Sequence, residues 1–165
     1  QQMKELSLAV EQTADCVVIT DREGVIQYVN AAFEKETGYT REEALGKTPR
    51  ILKSGEHDPR FYEALWKTIL AGNVFKAVFI NRKKTGELVY EQKTITPLKD
   101  SQGNITHFVS TAKNITEQAQ AEEDLRESEK QYRAADPVHD GHKCRQRKPD
   151  LEQVEIFGAA GHVAY

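Results

Sequence analysis

The chain has little of what several protein classes require. Only two cysteines occur in 165 residues, Cys16 and Cys144, and they form neither a C-x-x-C pair nor a disulfide framework. They are expected to be free thiols in a reducing, cytoplasmic compartment. No apolar run approaches the roughly 18 residues that a membrane helix needs, so no membrane contact is expected. The opening "QQMKELSLAVEQTADC" is amphipathic rather than apolar, unlike a signal peptide, and a first residue of Gln suits a segment of a longer protein. Basic charge is not in surplus: 23 Lys and Arg face 26 Asp and Glu, a net charge of -3, which gives no bulk attraction for nucleic acid. Catalytic groupings are scarce. Ser54, His57 and Asp58 are close in sequence, but a triad is made by geometry, not proximity. His57 is expected to sit exposed in the loop before a helix, and no catalytic residue is expected. His139, His142 and Cys144 fall short of the four ligands of a structural zinc site, so no metal is expected.

What is present reads as one soluble globular domain with extensions: 38% apolar and 30% charged residues. Met3, Leu6 and Val10 have helical spacing and would form an amphipathic N-terminal helix within residues 1–12. In "CVVITDREGVIQYVN" two β-branched runs flank a turn with Gly24, a hairpin pattern. Asn30 can cap a helix over "AAFEKETG", and Thr40 with Glu43 forms a capping-box pattern for another. Asp58 and Pro59 open the strongest helix, "DPRFYEALWKTILAGN", with Phe61, Leu65 and Ile69 on one stripe. Three strand patterns follow, "VFKAVFIN", "ELVYEQKTITPL" and "ITHFVSTAKNIT", separated by turns with Gly86 and Gly103. The order β-β-α-α-α-β-β-β predicts an α+β fold: five mostly antiparallel strands with short helices gathered on one face.

From Glu117 the composition turns strongly charged, without Gly or Pro to residue 135. Gln118, Ala121, Leu125, Ser128 and Tyr132 step 3, 4, 3, 4, a heptad seam with three apolar members and hence a weak coiled coil. Residues 136–165 differ again and receive no role.

Across roughly residues 5 to 133 these segments, in this order, resemble a PAS domain, the sensory module of bacterial signalling proteins. The resemblance rests on "VVITDREGVIQYVNAAFEKETGYTREEALGK", "TPRILKSGEHDPRFYEALWKTILAG", "FINRKKTGELVYEQKTITPLKDSQGNITHFVSTAKNIT" and the exit helix "NITEQAQAEEDLRESEKQYR". It implies a sensory domain over 13–116, an exit helix over 117–135, and a small cavity between sheet and helices. "GKTPRILK" aligns with the motif of light-sensing LOV domains, where the reactive cysteine corresponds to Pro49 and a last-strand glutamine to Ala112; adduct photochemistry is therefore excluded. Flavin, FAD or FMN, stays open: Pro49-Arg50 resembles flavin-binding redox sensors, and Asn81 sits where such relatives use an asparagine. Phe75 stands nearest the place of a tryptophan that such domains often carry. Haem is not expected, because "RFYEALWKTIL" contains no histidine.

Phe33, Leu65, Phe79 and Ile95, with Ile51, Leu52 and Ile69, are the candidate cavity wall. Strand alternation puts Val89, Glu91, Lys93 and Ile95 on one face, and the resemblance turns that face inward. Buried charges need partners. Either Asn81, Glu91, Lys93 and Arg50 bind a small polar ligand, or they pair among themselves. Trp66 and Tyr62 are expected in helix-sheet packing. "NIT", Asn114, Ile115 and Thr116, resembles the family's Asp-Ile-Thr junction, with Thr116 as helix cap and the Asp charge lost. Met3, Leu6, Val10, Leu125 and Tyr132 are the candidate dimer contacts. The resemblance implies a non-enzymatic sensory and dimerisation module of a histidine kinase, diguanylate cyclase or related regulator. Its partners would be a second copy and an effector domain of the same parent chain. A protein-interaction module with a filled core is the further alternative.

Overall fold

A computed structural model describes residues 2–135; His139, His142, Cys144 and the rest of the 136–165 segment lie outside the described residues. The elements follow the expected order: α1 (Gln2–Glu11), β1 (Cys16–Asp21), β2 (Ile26–Val29), α2 (Ala31–Thr37), α3 (Arg41–Ala44), a 3₁₀ turn (Pro49–Leu52), α4 (Pro59–Leu70), β3 (Phe75–Arg82), β4 (Leu88–Lys99), β5 (Ile105–Asn114) and α5 (Thr116–Ala135). The five strands form one sheet in the order β2-β1-β5-β4-β3, with every neighbouring pair antiparallel. The exit helix begins one residue earlier than the sequence suggested, at Thr116.

Local chemistry sets the element ends. Asn30 caps α2 and Gly38 closes it in the left-handed conformation. Thr40 and Glu43 complete the expected capping box on α3. Asp58 accepts from the Arg60 amide, and Pro59 opens α4. Gly24, in the β1–β2 turn, has φ 86°, and a Cβ there would meet the Trp66 ring at 3.0 Å. Only glycine satisfies both demands. Trp66 thus lies over the hairpin turn and edge-on to Phe108, which accounts for its burial as packing.

Asn30 does more than cap a helix. Its Oδ1 accepts from the Val17 and Phe33 amides at 2.9 and 3.1 Å, and its Nδ2 donates to the Val10 and Asp15 carbonyls at 3.2 and 3.0 Å. One fully buried side chain therefore ties the end of α1, the entry to β1 and the start of α2.

The inner face of the sheet packs in two apolar clusters. One gathers Cys16, Val18, Ile26, Val29, Phe33, Ala44, Leu52 and Ala112 beneath α2 and α3. The other gathers Leu65, Ile69, Phe75, Phe79 and Phe108 beneath α4, with Ile95 at its margin.

Asn30→Ala would leave the Val17 amide and the Val10 and Asp15 carbonyls without their side-chain partner, while the Phe33 amide keeps the residue 30 carbonyl. A loss of about 3 kcal/mol or more is expected, read as a lower urea midpoint. Asn30→Asp, which keeps the acceptor and loses both donors, should fall between wild type and Asn30→Ala.

Candidate functional site

Glu91 and Lys93 lie on β4, flanked by β5 and β3. In register, Phe79, Glu91 and Asn114 form one row, and Ala77, Lys93, Ala112 and Cys16 the next. All of these face the helices. Glu91, 2% exposed, and Lys93, 9% exposed, thus sit between the two apolar clusters. Burying two charges is costly unless they are paired and hydrogen-bonded. Lys93 Nζ lies 3.2 Å from Glu91 Oε2, and Asn81 Nδ2 donates to the same oxygen at 2.6 Å. The ammonium also sits 4.9 Å from the centre of the Phe79 ring. Asn81, Glu91 and Lys93 thus pair among themselves in this structure. Arg50 does not join them: it is exposed in the 3₁₀ turn, because that turn directs Leu52 rather than Arg50 into the core.

Phe33, Leu65 and Phe79 are buried and Ile95 is half-buried, in the two clusters described above. Hollows on the described surface include two that Asn81, Glu91 and Lys93 do not line. One of about 580 Å³ lies between α1 and the sheet edge, lined by Met3, Lys4, Ser7, Leu8, Glu11, Tyr28 and Arg41. The other, of about 250 Å³, is lined by Ala14, Ala32, Lys35, Glu36, Lys83 and Asn114. Neither is walled by the expected cavity residues. Asn81, where the resemblance places a flavin-contacting asparagine, gives one N–H to Glu91. Phe75 is buried edge-on to Phe61 and Phe79.

Sequence reading missed Glu36. It lies on α2, half-buried, with Oε1 out of solvent and without a hydrogen-bond partner among the described residues. The Cys16 thiol donates to Oε2 at 3.8 Å. Burial, then the Glu91 charge, pushes the Glu36 pKa up, against opposing pulls from Asn114 and Lys83. The Cys16 thiol is pushed up to about 12, first by burial and then by Glu36 and Glu91, so it stays protonated and unreactive.

The expected junction is present with one role changed. Thr116 is not the helix cap, because its hydroxyl faces β4. It accepts from the Tyr90 amide at 3.0 Å and donates to Asn114 Oδ1 at 2.6 Å. Asn114 Oδ1 also accepts from the Thr116 amide at 2.8 Å and so performs the capping. The Ile115 amide donates to the Tyr90 carbonyl at 2.8 Å. The start of α5 is thereby bound to the residue that precedes Glu91.

Ser54 and His57 also have structural partners. The Ser54 hydroxyl donates to the Ile80 carbonyl, and His57 Nε2 accepts from the Ile80 amide at 2.8 Å. His57 is half-buried, stacked on Phe61 at 4.1 Å, not exposed as the sequence suggested. With the Lys53–Asn81 bridge, this segment covers the free edge of β3. Tyr62 packs edge-on to Phe61 beneath the Lys53 ammonium.

Lys93→Met would leave the Glu91 charge buried with Asn81 alone, a loss of about 3–5 kcal/mol. Adding Glu91→Gln should recover much of the urea midpoint; a double variant no more stable than Lys93→Met would contradict the pairing. Burial holds the His57 pKa below its ordinary 6.5. Neutral His57 therefore contributes fully above about pH 6.5, and its contribution is lost as pH falls through the lower folded value. Melting temperatures from about pH 7.5 to about pH 5 should show this slope in wild type and a flatter one in His57→Gln.

Comparison with known proteins matches this architecture. The chain is 31% identical over 117 residues to a nitrogen fixation regulatory protein of Klebsiella oxytoca, covering 71% of this chain and 24% of that protein. It is 31% identical over 119 residues to a blue-light-activated histidine kinase of Brucella anthropi, covering 70% and 24%. The chain thus spans about a quarter of the length of these relatives. Among solved structures, it resembles the LOV domain of the Erythrobacter litoralis EL346 blue-light activated histidine kinase, with TM-score 0.58 and 27% identity over 63% of this chain and 98% of that one. A PAS domain from Colwellia psychrerythraea shares the fold at TM-score 0.61 and 20% identity, covering 71% and 99%. The PAS-fold family model matches residues 4–115, and with the sheet order and helices described above, the chain belongs to the PAS-fold family.

Proposed function

We propose that this domain is the input module of a longer, cytoplasmic signalling protein, a histidine kinase, diguanylate cyclase or related regulator. In this reading it has no catalytic activity of its own. It converts the state of the buried Asn81–Glu91–Lys93 group into the packing of α5. The observation that carries the reading is the double bond to Tyr90. Its amide and carbonyl hold Thr116 and Ile115, while the next residue, Glu91, is the centre of the buried group. A ligand or charge change that competes for Glu91 moves β4, and β4 carries the base of α5. Such a relay requires α5 to have two packings close in energy. The weak heptad of Gln118, Ala121, Leu125, Ser128 and Tyr132 suits that need. The regulator and kinase named above, both similar to this chain over a PAS-sized segment, support a module inside a larger signalling chain.

Dimerisation through the two flanking helices completes the reading. Met3 and Leu6 of α1 are 84% and 67% exposed, and Leu125 and Tyr132 of α5 are 62% and 78% exposed. Val10 is also open to solvent, and so is Leu8, which the helical-spacing reading of α1 did not single out. A second copy would cover these faces.

Amide hydrogen exchange tests the relay. Glu91→Gln should speed exchange at Ile115 and Ala119, beyond the β3–β4 ladder itself; unchanged α5 protection alongside an altered ladder would refute it. Light scattering tests the dimer: Leu125→Asp should lower the solution mass toward that of one chain, and an unchanged mass counts against the α5 seam.

A further inference from the structure

Asn114 is the member of the junction that also faces Glu36. Its Oδ1 is committed to the Thr116 amide and hydroxyl, while its Nδ2 has no place in those bonds. It lines the 250 Å³ hollow together with Glu36. Glu36 is poorly satisfied where it stands: Oε1 is buried without a close partner, Oε2 receives a long bond from a thiol, and the Asn114 amide is a further uncharged neighbour that favours the ionised form by hydrogen bonding. An ionised Glu36 attracts the Asn114 amino group and so keeps the carbonyl end of that amide turned toward Thr116. A neutral Glu36 exerts no such pull, and its new O–H competes for the same Asn114 oxygen.

We propose that Glu36 is a proton-binding site whose protonation unseats Asn114 and loosens the first turn of α5. The inference rests on the relay above and adds a second input to it, from α2 rather than β4. The proton comes from solvent, which reaches the half-buried Glu36 through the hollow. The charged and titratable groups that face Glu36 fix the sign. Cys16 from β1 is held as a neutral thiol and donates a bond. Glu91 from β4 disfavours a second negative charge, and Lys93 beside it partly cancels that effect. Lys83, between β3 and β4, favours ionisation but is also 3.4 Å from Glu87. Lys35, on α2 itself, lines the hollow and is exposed. Burial and Glu91 outweigh the cations, so Glu36 takes up its proton above the ordinary 4.5.

Two opposite pH trends follow. The raised pKa means that the folded state binds this proton more tightly than the unfolded chain. Glu36 therefore favours folding at low pH, and that contribution fades as pH rises through the folded value. The α5 base does the reverse and loosens as pH falls.

The test is nuclear magnetic resonance of the whole chain from about pH 8 to about pH 4.5, with exchange rates corrected for intrinsic pH dependence. The Glu36 carboxyl carbon should titrate with a midpoint above about 4.5. Corrected exchange at Thr116 should rise about fivefold with the same midpoint. In Glu36→Gln, a neutral mimic, Thr116 should exchange fast at every pH. The proposal is overturned if Thr116 ignores the Glu36 titration in wild type, a measurement that needs no variant to fold. It is also overturned if the Thr116 response persists in Glu36→Gln. Glu91→Gln separates this failure from that of the relay. If that variant moves Thr116 while Glu36 does not, the relay stands without the proton input; if neither moves it, both fall.

Discussion

Asn30 is the constraint on which the rest of the fold depends. An asparagine side chain offers two donors and an acceptor with two lone pairs, and here all of that capacity is used inside the protein. Its four bonds reach α1, the α1–β1 connection, β1 and α2. No other residue type has both functions at that length: Asp cannot donate, Ser cannot span the gap, and Leu satisfies nothing. With β1 and α2 fixed, Phe33 enters the core and Glu36 is brought over Cys16. The flanking helix and the helical lid therefore share one anchor.

The buried polar group poses the opposite case. An Asn–Glu–Lys set between two apolar clusters is a poor way to gain stability, because the cost of removing both charges from water offsets most of their attraction. What it offers is discrimination. Phe79, Ala77 and Ala112 could pack against apolar neighbours in more than one register; Glu91 is satisfied in the register that sets it opposite Phe79, within reach of Asn81 and Lys93. The same geometry makes the region responsive, since each charge is held by two contacts and changes its surroundings when either is disturbed.

Much of this was legible in the sequence where the chemistry is local. The Thr40–Glu43 capping box, the Asp58–Pro59 helix start and the glycine turns each depend on residues a few positions apart. The inward face of β4 was legible too, because alternation fixes sides once the register is known. What was not legible depended on distant partners. Asn30 read only as a cap, since Val10 and Asp15 come from the far side of the hairpin. His57 read as an exposed loop residue, because nothing nearby announces that the Ile80 amide on the free sheet edge needs an acceptor. Arg50 looked like a natural partner for Glu91, but the 3₁₀ turn sends its side chain outward. Glu36 carried no signal beyond one carboxylate on a short helix; only the fold sets it against a thiol, an amide and a second carboxylate.

The attachment of α5 has a quantitative consequence. The helix runs 20 residues without one buried side chain and meets the domain through a few hydrogen bonds at its base. Four such bonds at about 1 kcal/mol net each let the domain bias the helix by about 4 kcal/mol, roughly a thousandfold in an equilibrium constant. A complete reversal from 1:99 to 99:1 takes about 5.5 kcal/mol. Under the proposed relay, one domain of this design would work as a graded control rather than a latch. Sharp switching has to come from coupling several such biases, across two copies or along a longer helix.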